Sequence, residues 1–568
     1  MVHVRVAVLL VFVISCKGPQ TISGDIDPFH YTSQKVIHPS KGAVVCAHPL
    51  ASRAGLLMMK KGGNAFDAAV ATQFALAVVY PGAGNIGGGG FMVARKANGE
   101  LVSLDYRETA PARASKNMYL DKGGNVIEGK SIHSPTASGV PGSVAGIFEM
   151  LQLAKLPLKD LIAPAIDMAE RGFAITASEA SSLNHLQEEF ARYNTSPTAF
   201  QRSAPWKAGD TLVQGELAAT LKRILKDGAS GFYEGETARL ITEEVKKGGG
   251  YIGIEDLKDY RAKWRAPHKF GYKDYDIVSM GPPSSGGILL HQMFGMIANR
   301  GLEGKKPLSP EAVQLMTEVE RRAFADRAQW LGDADFYDVP VKAITSVEYL
   351  QKRMQDYQEG KAGSSDITKA GTLPAESDQT THISIVDNEG NAVAITTTLN
   401  SSYGCKTVVA GAGFLLNNEM DDFSAKPGVP NIYGAVGGEA NAIVPGKRML
   451  SSMTPTIVLK NGQVILVVGT PGGTTIPTSV FQTIVDVIDF NLSAEEAVNL
   501  PKFHHQWLPD NIRVEKNFPP ATRSALQKMG YKLTDDSSIG RVEVIRVLED
   551  HTIEAVADSR GDDSAEGF

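Results

Sequence analysis

Residues 380–399 read as a single β-hairpin whose register constrains much of the remaining chain. Thr381, Ile383 and Ile385 alternate with His382, Ser384 and Val386, the period of a strand whose two faces meet different surroundings. Asn388-Glu389-Gly390 follows, a three-residue connection whose glycine suits the left-handed position after a type I turn. Asn391 to Leu399 returns as a second strand. Pairing Asp387 with Asn391 sets Thr398 directly across from Thr380, unless a bulge slips the ladder by one residue.

A second hairpin is signalled by Lys460-Asn461-Gly462-Gln463, whose Asn-Gly pair favours a type I′ turn between Pro455–Leu459 and Val464–Val468. Pairing Lys460 with Gln463 and extending outward sets Ser451 opposite Gly472. Ser451-Ser452 and Gly472-Gly473 then meet at the open end. The glycines lead into a helix predicted over 474–490, with Val480, Ile484, Val487 and Ile488 at helical spacing. Backbone N–H groups at a helix start, with no Cβ in the way, can receive a developing oxyanion. Taken singly, each pair is also what an ordinary turn carries.

Thr380 is the candidate nucleophile. A threonine hydroxyl attacks poorly without a base, and its own α-amine can serve only after the preceding bond is cut. Such an amine titrates near pH ~8, so a useful fraction is neutral at physiological pH. Gln379–Thr380 is therefore a candidate self-cleavage site, although a strand chosen for β-propensity alone gives the same letters. The Gly-, Ser- and Thr-rich run over 360–378 suits an exposed approach to that site.

Between the hairpins, Glu419 and Asp422 are spaced to point one way from a helical turn, where they can take a metal or an ammonium group. Calcium-loop spacing is absent, and Cys16, Cys46 and Cys405 show no zinc spacing, so the ammonium is preferred and no metal or other cofactor is expected. Residues 426–441 hold Pro427, Gly428, Pro430, Tyr433 and several more glycines, a long loop and candidate lid. His504-His505 lacks a third ligand and reads as structural.

Elsewhere, Asn64 is a candidate N-cap before an alanine-rich helix, and the glycines at 87–90 point to close backbone packing because a P-loop lysine is missing. Residues 135–370 read mainly helical, with one amphipathic helix over 311–330. Gly281-Pro282-Pro283-Ser284-Ser285-Gly286-Gly287 lacks the G-x-S-x-G pattern and reads as a turn before a helix.

With 568 residues and a formal charge of −6, the chain carries no basic block suited to nucleic acid. Val6 to Ile14 is wholly apolar after Arg5, too short to span a bilayer and suited to a signal peptide. Val13-Ile14-Ser15-Cys16 resembles a lipobox, which predicts a signal peptide over 1–15, a lipidated Cys16, a tether over 16–37 and membrane attachment only through that lipid. The expected location is periplasmic or on the outer membrane. Cys46 and Cys405 can form one disulfide at most, and the sequence does not pair them.

Gln379-Thr380-Thr381-His382, Asn417 to Phe423, Ser451-Ser452-Met453-Thr454-Pro455, Pro471-Gly472-Gly473 and Asp105 to Pro111 together resemble the γ-glutamyltransferases, or glutathione hydrolases. The resemblance runs from about residue 38 to Phe568. It implies an α+β, four-layer αββα sandwich of the N-terminal-nucleophile hydrolase type, built as one intertwined catalytic domain from a large subunit (38–379) and a small subunit (380–568). It also implies that Thr380 attacks first its own chain and then a γ-glutamyl amide, that Thr398 positions it, and that Gly472 and Gly473 form the oxyanion hole. Arg107, Ser451 and Ser452 would hold the donor's α-carboxylate, while Asn400, Glu419 and Asp422 would hold its α-ammonium. Glutathione and other γ-glutamyl compounds are the expected donors, and water, amino acids or dipeptides the expected acceptors. The lid with Tyr433 resembles the bacterial type. Two rivals remain at this point, an acylase for a glutaryl amide and an uncut, lipid-anchored solute-binding protein.

Overall fold

A computed structural model describes residues 26–298, 300–368, 380–426 and 438–568. The expected signal peptide, Cys16, Gln379 and Tyr433 lie outside the described residues.

Two seven-stranded antiparallel sheets form the centre of the molecule. In the first, the strands run Ser564–Gly567, Ala43–Cys46, Thr381–Val386, Ala392–Thr398, Gly89–Arg95, Leu101–Asp105 and Lys263–Arg265. In the second they run Val36–Ile37, Ile553–Val556, Glu543–Val547, Gln463–Gly469, Thr456–Lys460, Tyr275–Ser279 and His268–Tyr272. Each sheet mixes strands from before and after Thr380, so neither segment completes a sheet alone.

Alternation along the strands explains the layering. Val44, Cys46, Met92, Ile383, Ile385, Val393 and Ile395 join the core shared with the helices Pro49–Lys60 and Ala65–Val79. Ala43, Val45, Phe91, Val93, Ala392 and Ala394 face the other way, into the core shared with the second sheet. Helices Gly286–Ala298, Pro310–Trp330 and Thr475–Ile488 contribute to that second core from its far side. The result is the expected αββα sandwich.

Local chemistry sets several element ends. Asn64 caps the Ala65–Val79 helix in a capping box with Asp67. The glycines at 87–90 permit close packing: a Cβ on Gly88 would lie 2.1 Å from the Thr398 carbonyl oxygen, and one on Gly90 2.4 Å from that of Thr396.

The region 135–370 is mainly helical as expected, with His268–Tyr272 and Tyr275–Ser279 inserted as an edge hairpin of the second sheet. Two expectations need correction. The tether does not extend to residue 37: Ile26 is buried, and Val36–Ile37 pairs with Ile553–Val556. The Pro310–Trp330 helix lacks a solvent face, since Ala312 through Ala328 are all buried. Several of its charges are paired inside the protein, Glu318 with Arg321 and Arg322, and Asp326 with Arg353, while Glu320 accepts from Gln482 Nε2 and His505 N–H. Cys46 and Cys405 are both buried and unbridged.

Candidate active site

The first hairpin has the expected register. Thr381 pairs with Thr397, Asp387 N–H donates to Asn391 O at 3.1 Å, and Gly390 takes a φ of 88° in the turn. Thr380 therefore faces Thr398, and its hydroxyl lies 3.5 Å from the Thr398 hydroxyl. Thr398 Oγ1 also accepts the Asn400 N–H at 2.8 Å. Asn400 sits at a φ of 74°, and its Nδ2 donates to Asn418 O at 2.9 Å. This tie joins the hairpin end to the short 3₁₀ turn Glu419–Asp422.

The second hairpin departs from the expected register. Lys460 pairs with Gln463, but an irregularity between Val458 and Leu459 leaves Ile465 as an extra residue. Such a bulge shifts the ladder by one position. The constant register that would place Ser451 opposite Gly472 is therefore broken, yet the two pairs still converge. Gly472 has a φ of 136° and Gly473 a φ of 55°, and the Thr475–Ile488 helix follows. Gly472 O accepts from both N–H and Oγ1 of Thr475, at 2.9 and 2.7 Å.

One cleft gathers Thr380, Thr398, Asn400, Arg107, Glu419, Asp422, Ser451, Ser452 and Gly473. Among the described candidates only Gly472 does not line it, standing one residue behind. Arg107 Nη1 donates to Glu419 Oε2 at 2.6 Å, Nη2 pairs with Asp422, and Glu108 lies 3.4 Å from Nη1. Burial works against the guanidinium's charge, but Glu419, Asp422 and Glu108 outweigh it and hold its pKa above the ordinary value. Burial likewise raises all three acids against the pull of Arg107, Glu108 to about 8. The cleft thus carries opposite charges side by side, next to a pair of threonine hydroxyls. Among the described residues no cluster of histidine, cysteine and acidic side chains is suited to a metal.

A sequence profile for gamma-glutamyltranspeptidase matches residues 51–568. The chain belongs to the γ-glutamyltranspeptidase family. It is 44% identical to the glutathione hydrolase proenzyme of Escherichia coli K12 over 543 residues, 94% of each chain. The γ-glutamyltranspeptidase structure from Helicobacter pylori is 45% identical, with a TM-score of 0.56 over 57% of this chain and 94% of that one. A cephalosporin acylase structure from Bacillus halodurans aligns with a TM-score of 0.82 at 26% identity, covering 95% of this chain and 99% of that one. This family member is an enzyme with the N-terminal-nucleophile hydrolase fold.

Family membership does not by itself assign the remaining lining residues, and three of them escaped the sequence reading. Met453 and Ile476 supply apolar wall, and Arg327 comes from the buried Pro310–Trp330 helix. The signal for Arg327 was a charge on a helix that is apolar on several faces, which periodicity alone assigns to solvent. His504 and His505 lie away from the cleft lining, bonded to Thr478 and Asp510, and burial lowers the pKa of both.

Proposed function

We propose that this chain is a γ-glutamyl hydrolase and transferase that takes glutathione and related γ-glutamyl compounds as donors. The observation that carries this reading is the pair of opposite clamps, Arg107 against Glu419 and Asp422, beside Thr380 and Thr398. A γ-glutamyl group presents one carboxylate and one ammonium on the same carbon, and the clamps match both. A glutaryl donor has no ammonium for the two acids.

In the proposed maturation, Thr380 Oγ1 adds to the Gln379 carbonyl carbon. The Gln379–Thr380 C–N bond breaks, the departing amine takes the proton, and water hydrolyses the ester. The freed α-amine of Thr380 then removes the Oγ1 proton as that oxygen attacks the γ-carbonyl of the donor. The N–H groups of Gly472 and Gly473 receive the oxyanion, and Thr398 holds the Thr380 hydroxyl in place. The amide C–N bond breaks and its nitrogen leaves with the proton. Water, or the amine of an amino acid or dipeptide, then attacks the acyl-Thr380 ester. The products of maturation are a large subunit ending at Gln379 and a small subunit of residues 380–568.

The test is a denaturing gel with N-terminal sequencing, combined with turnover of γ-glutamyl and glutaryl anilides. The expected result is two wild-type bands, the smaller beginning at Thr380, and preference for the γ-glutamyl anilide. Thr380→Ala stays full length and inactive. A single wild-type band, or a preference for glutaryl, overturns the reading.

We also propose export and lipid anchoring through Cys16, supported by the apolar Val6–Ile14 run and the lipobox-like 13–16 segment. Cys16→Ser is expected to move the protein from the membrane fraction to the soluble fraction. An unchanged distribution overturns the proposal.

A further inference from the structure

Ser451 and Ser452 serve a donor carboxylate only if their hydroxyl protons are turned toward it. A serine hydroxyl has one proton and two acceptor lone pairs, so whatever occupies a lone pair biases where the proton goes. Ser451 Oγ accepts the Met453 N–H at 3.1 Å. Ser452 Oγ accepts from Arg327 Nη2 at 2.9 Å. Each bond comes from a donor group and leaves the proton to be given elsewhere.

Arg327 is itself fixed by the segment around Ser284-Ser285. Its Nε donates to Ser285 Oγ at 3.0 Å, and Ser285 Oγ in turn donates to Ser451 O at 2.8 Å. Ser285 N–H reaches the same carbonyl at 2.7 Å, Ser284 Oγ donates to Met453 O at 2.6 Å, and Ser451 N–H donates to Pro283 O at 3.0 Å. The Pro283-Ser284-Ser285 turn before the Gly286–Ala298 helix is therefore a splint along 451–453. Arg327 is 4% exposed, lines the cleft, and its charge acts on Asp422. One planar guanidinium thus spans Ser285, Ser452 and the acidic side of the site, a fork that a lysine cannot reproduce.

We infer that Arg327 is a positioning residue for donor specificity, orienting Ser452 toward the α-carboxylate and adding a second positive charge beside Arg107. This rests on the γ-glutamyl reading of the cleft. The role predicts a loss confined to donors that carry the carboxylate. A purely structural role predicts equal losses for all donors.

The experiment compares γ-glutamyl anilide with 4-aminobutyryl anilide, which keeps the ammonium and lacks the carboxylate, for wild type and Arg327→Gln. Where the second substrate turns over too slowly, the competitive inhibition constants of glutamate and 4-aminobutyrate give the same ratio. In Arg327→Gln, KM for the γ-glutamyl donor is expected to rise about tenfold with a smaller change in kcat, and the preference for the carboxylate-bearing ligand is expected to fall about tenfold. Arg327→Lys, which keeps the charge without the fork, is expected to fall between. If Arg327→Gln remains uncut, Ser285→Ala provides the reading, because it removes the Nε anchor and keeps the charge. Its preference is then expected to fall severalfold. Unchanged preference in the processed variants overturns the inference while leaving the proposed function intact. Failure of the wild type to act on γ-glutamyl anilide overturns both.

Discussion

Arg107 and Glu419 form a buried ion pair, Nη1 to Oε2 at 2.6 Å, across 312 residues of sequence. The partly buried Asp422 and the buried Glu108 complete the cluster, so the Arg107 guanidinium faces three carboxyl groups. A zwitterionic donor can exchange these partners, its ammonium meeting the acids while its carboxylate meets Arg107. Arg107→Gln removes the cation and leaves the acids facing one another. Breaking such a pair typically costs ~3–5 kcal/mol. The expected outcome is a marked fall in melting temperature together with near-complete loss of γ-glutamyl turnover. A processed variant with wild-type melting temperature and wild-type KM would show that the pair has no such role.

Thr398 presents its hydroxyl both to Thr380 and to the Asn400 N–H. Thr398→Val keeps the shape and removes the hydroxyl, whereas Thr398→Ser keeps the hydroxyl. A buried hydrogen bond of ~1–3 kcal/mol corresponds to roughly 5- to 160-fold in rate. Thr398→Val is expected to lose about that much in both self-cleavage rate and kcat, with Thr398→Ser remaining near wild type. Time courses of precursor cleavage and steady-state turnover measure both. Equal behaviour of the two variants would remove the hydroxyl from the account.

The facing of Thr380 and Thr398 is legible in sequence because a short turn fixes the register and strand alternation extends it. The same arithmetic slips in the second hairpin. Its turn pairs Lys460 with Gln463 as expected, but Ile465 bulges before the ladder reaches the cleft. The turn residues do not announce a bulge that lies beyond them. The edge hairpin at His268–Tyr272 and Tyr275–Ser279 is short and partly exposed, so its pattern is weak against the surrounding helices. Arg107 enters the site from a loop and Arg327 from a helix buried on every side. No local period encodes either placement. Arg107 was reached through family resemblance, and Arg327 only through the fold.

Gly472 tests the oxyanion assignment. Its φ is 136°, and an added Cβ would lie 2.2 Å from Thr475 Oγ1, whose hydroxyl bonds Gly472 O at 2.7 Å. Gly472→Ala therefore displaces the backbone that carries the proposed oxyanion donors. Losing one such donor typically costs about 100- to 1,000-fold in kcat. That loss is expected with little change in KM, because donor binding depends on the Arg107 side of the cleft. A variant that loses affinity while keeping kcat would contradict the assignment.

His382 gives a pH dependence with a defined sign. It lies wholly buried between the sheets, its Nδ1 2.9 Å from Thr396 Oγ1, its Nε2 3.1 Å from Ser384 Oγ, and its ring against the Gly469 backbone. Burial pushes its pKa down to about 3. An unfolded histidine takes up its proton near pH ~6.5. Between these values the unfolded state holds more protons, so stability present above pH ~6.5 is lost as pH falls toward the folded value. Each unit of separation is worth ~1.4 kcal/mol. His48 and His505, lowered by burial to about 3 and about 4, act with the same sign. His382→Gln keeps hydrogen-bonding groups without the titration. Its melting temperature is expected to fall less steeply than that of wild type between pH 6.5 and 4, with a residual slope from the other histidines. Thermal unfolding at half-unit pH steps measures the difference, and parallel curves would place the acid sensitivity elsewhere.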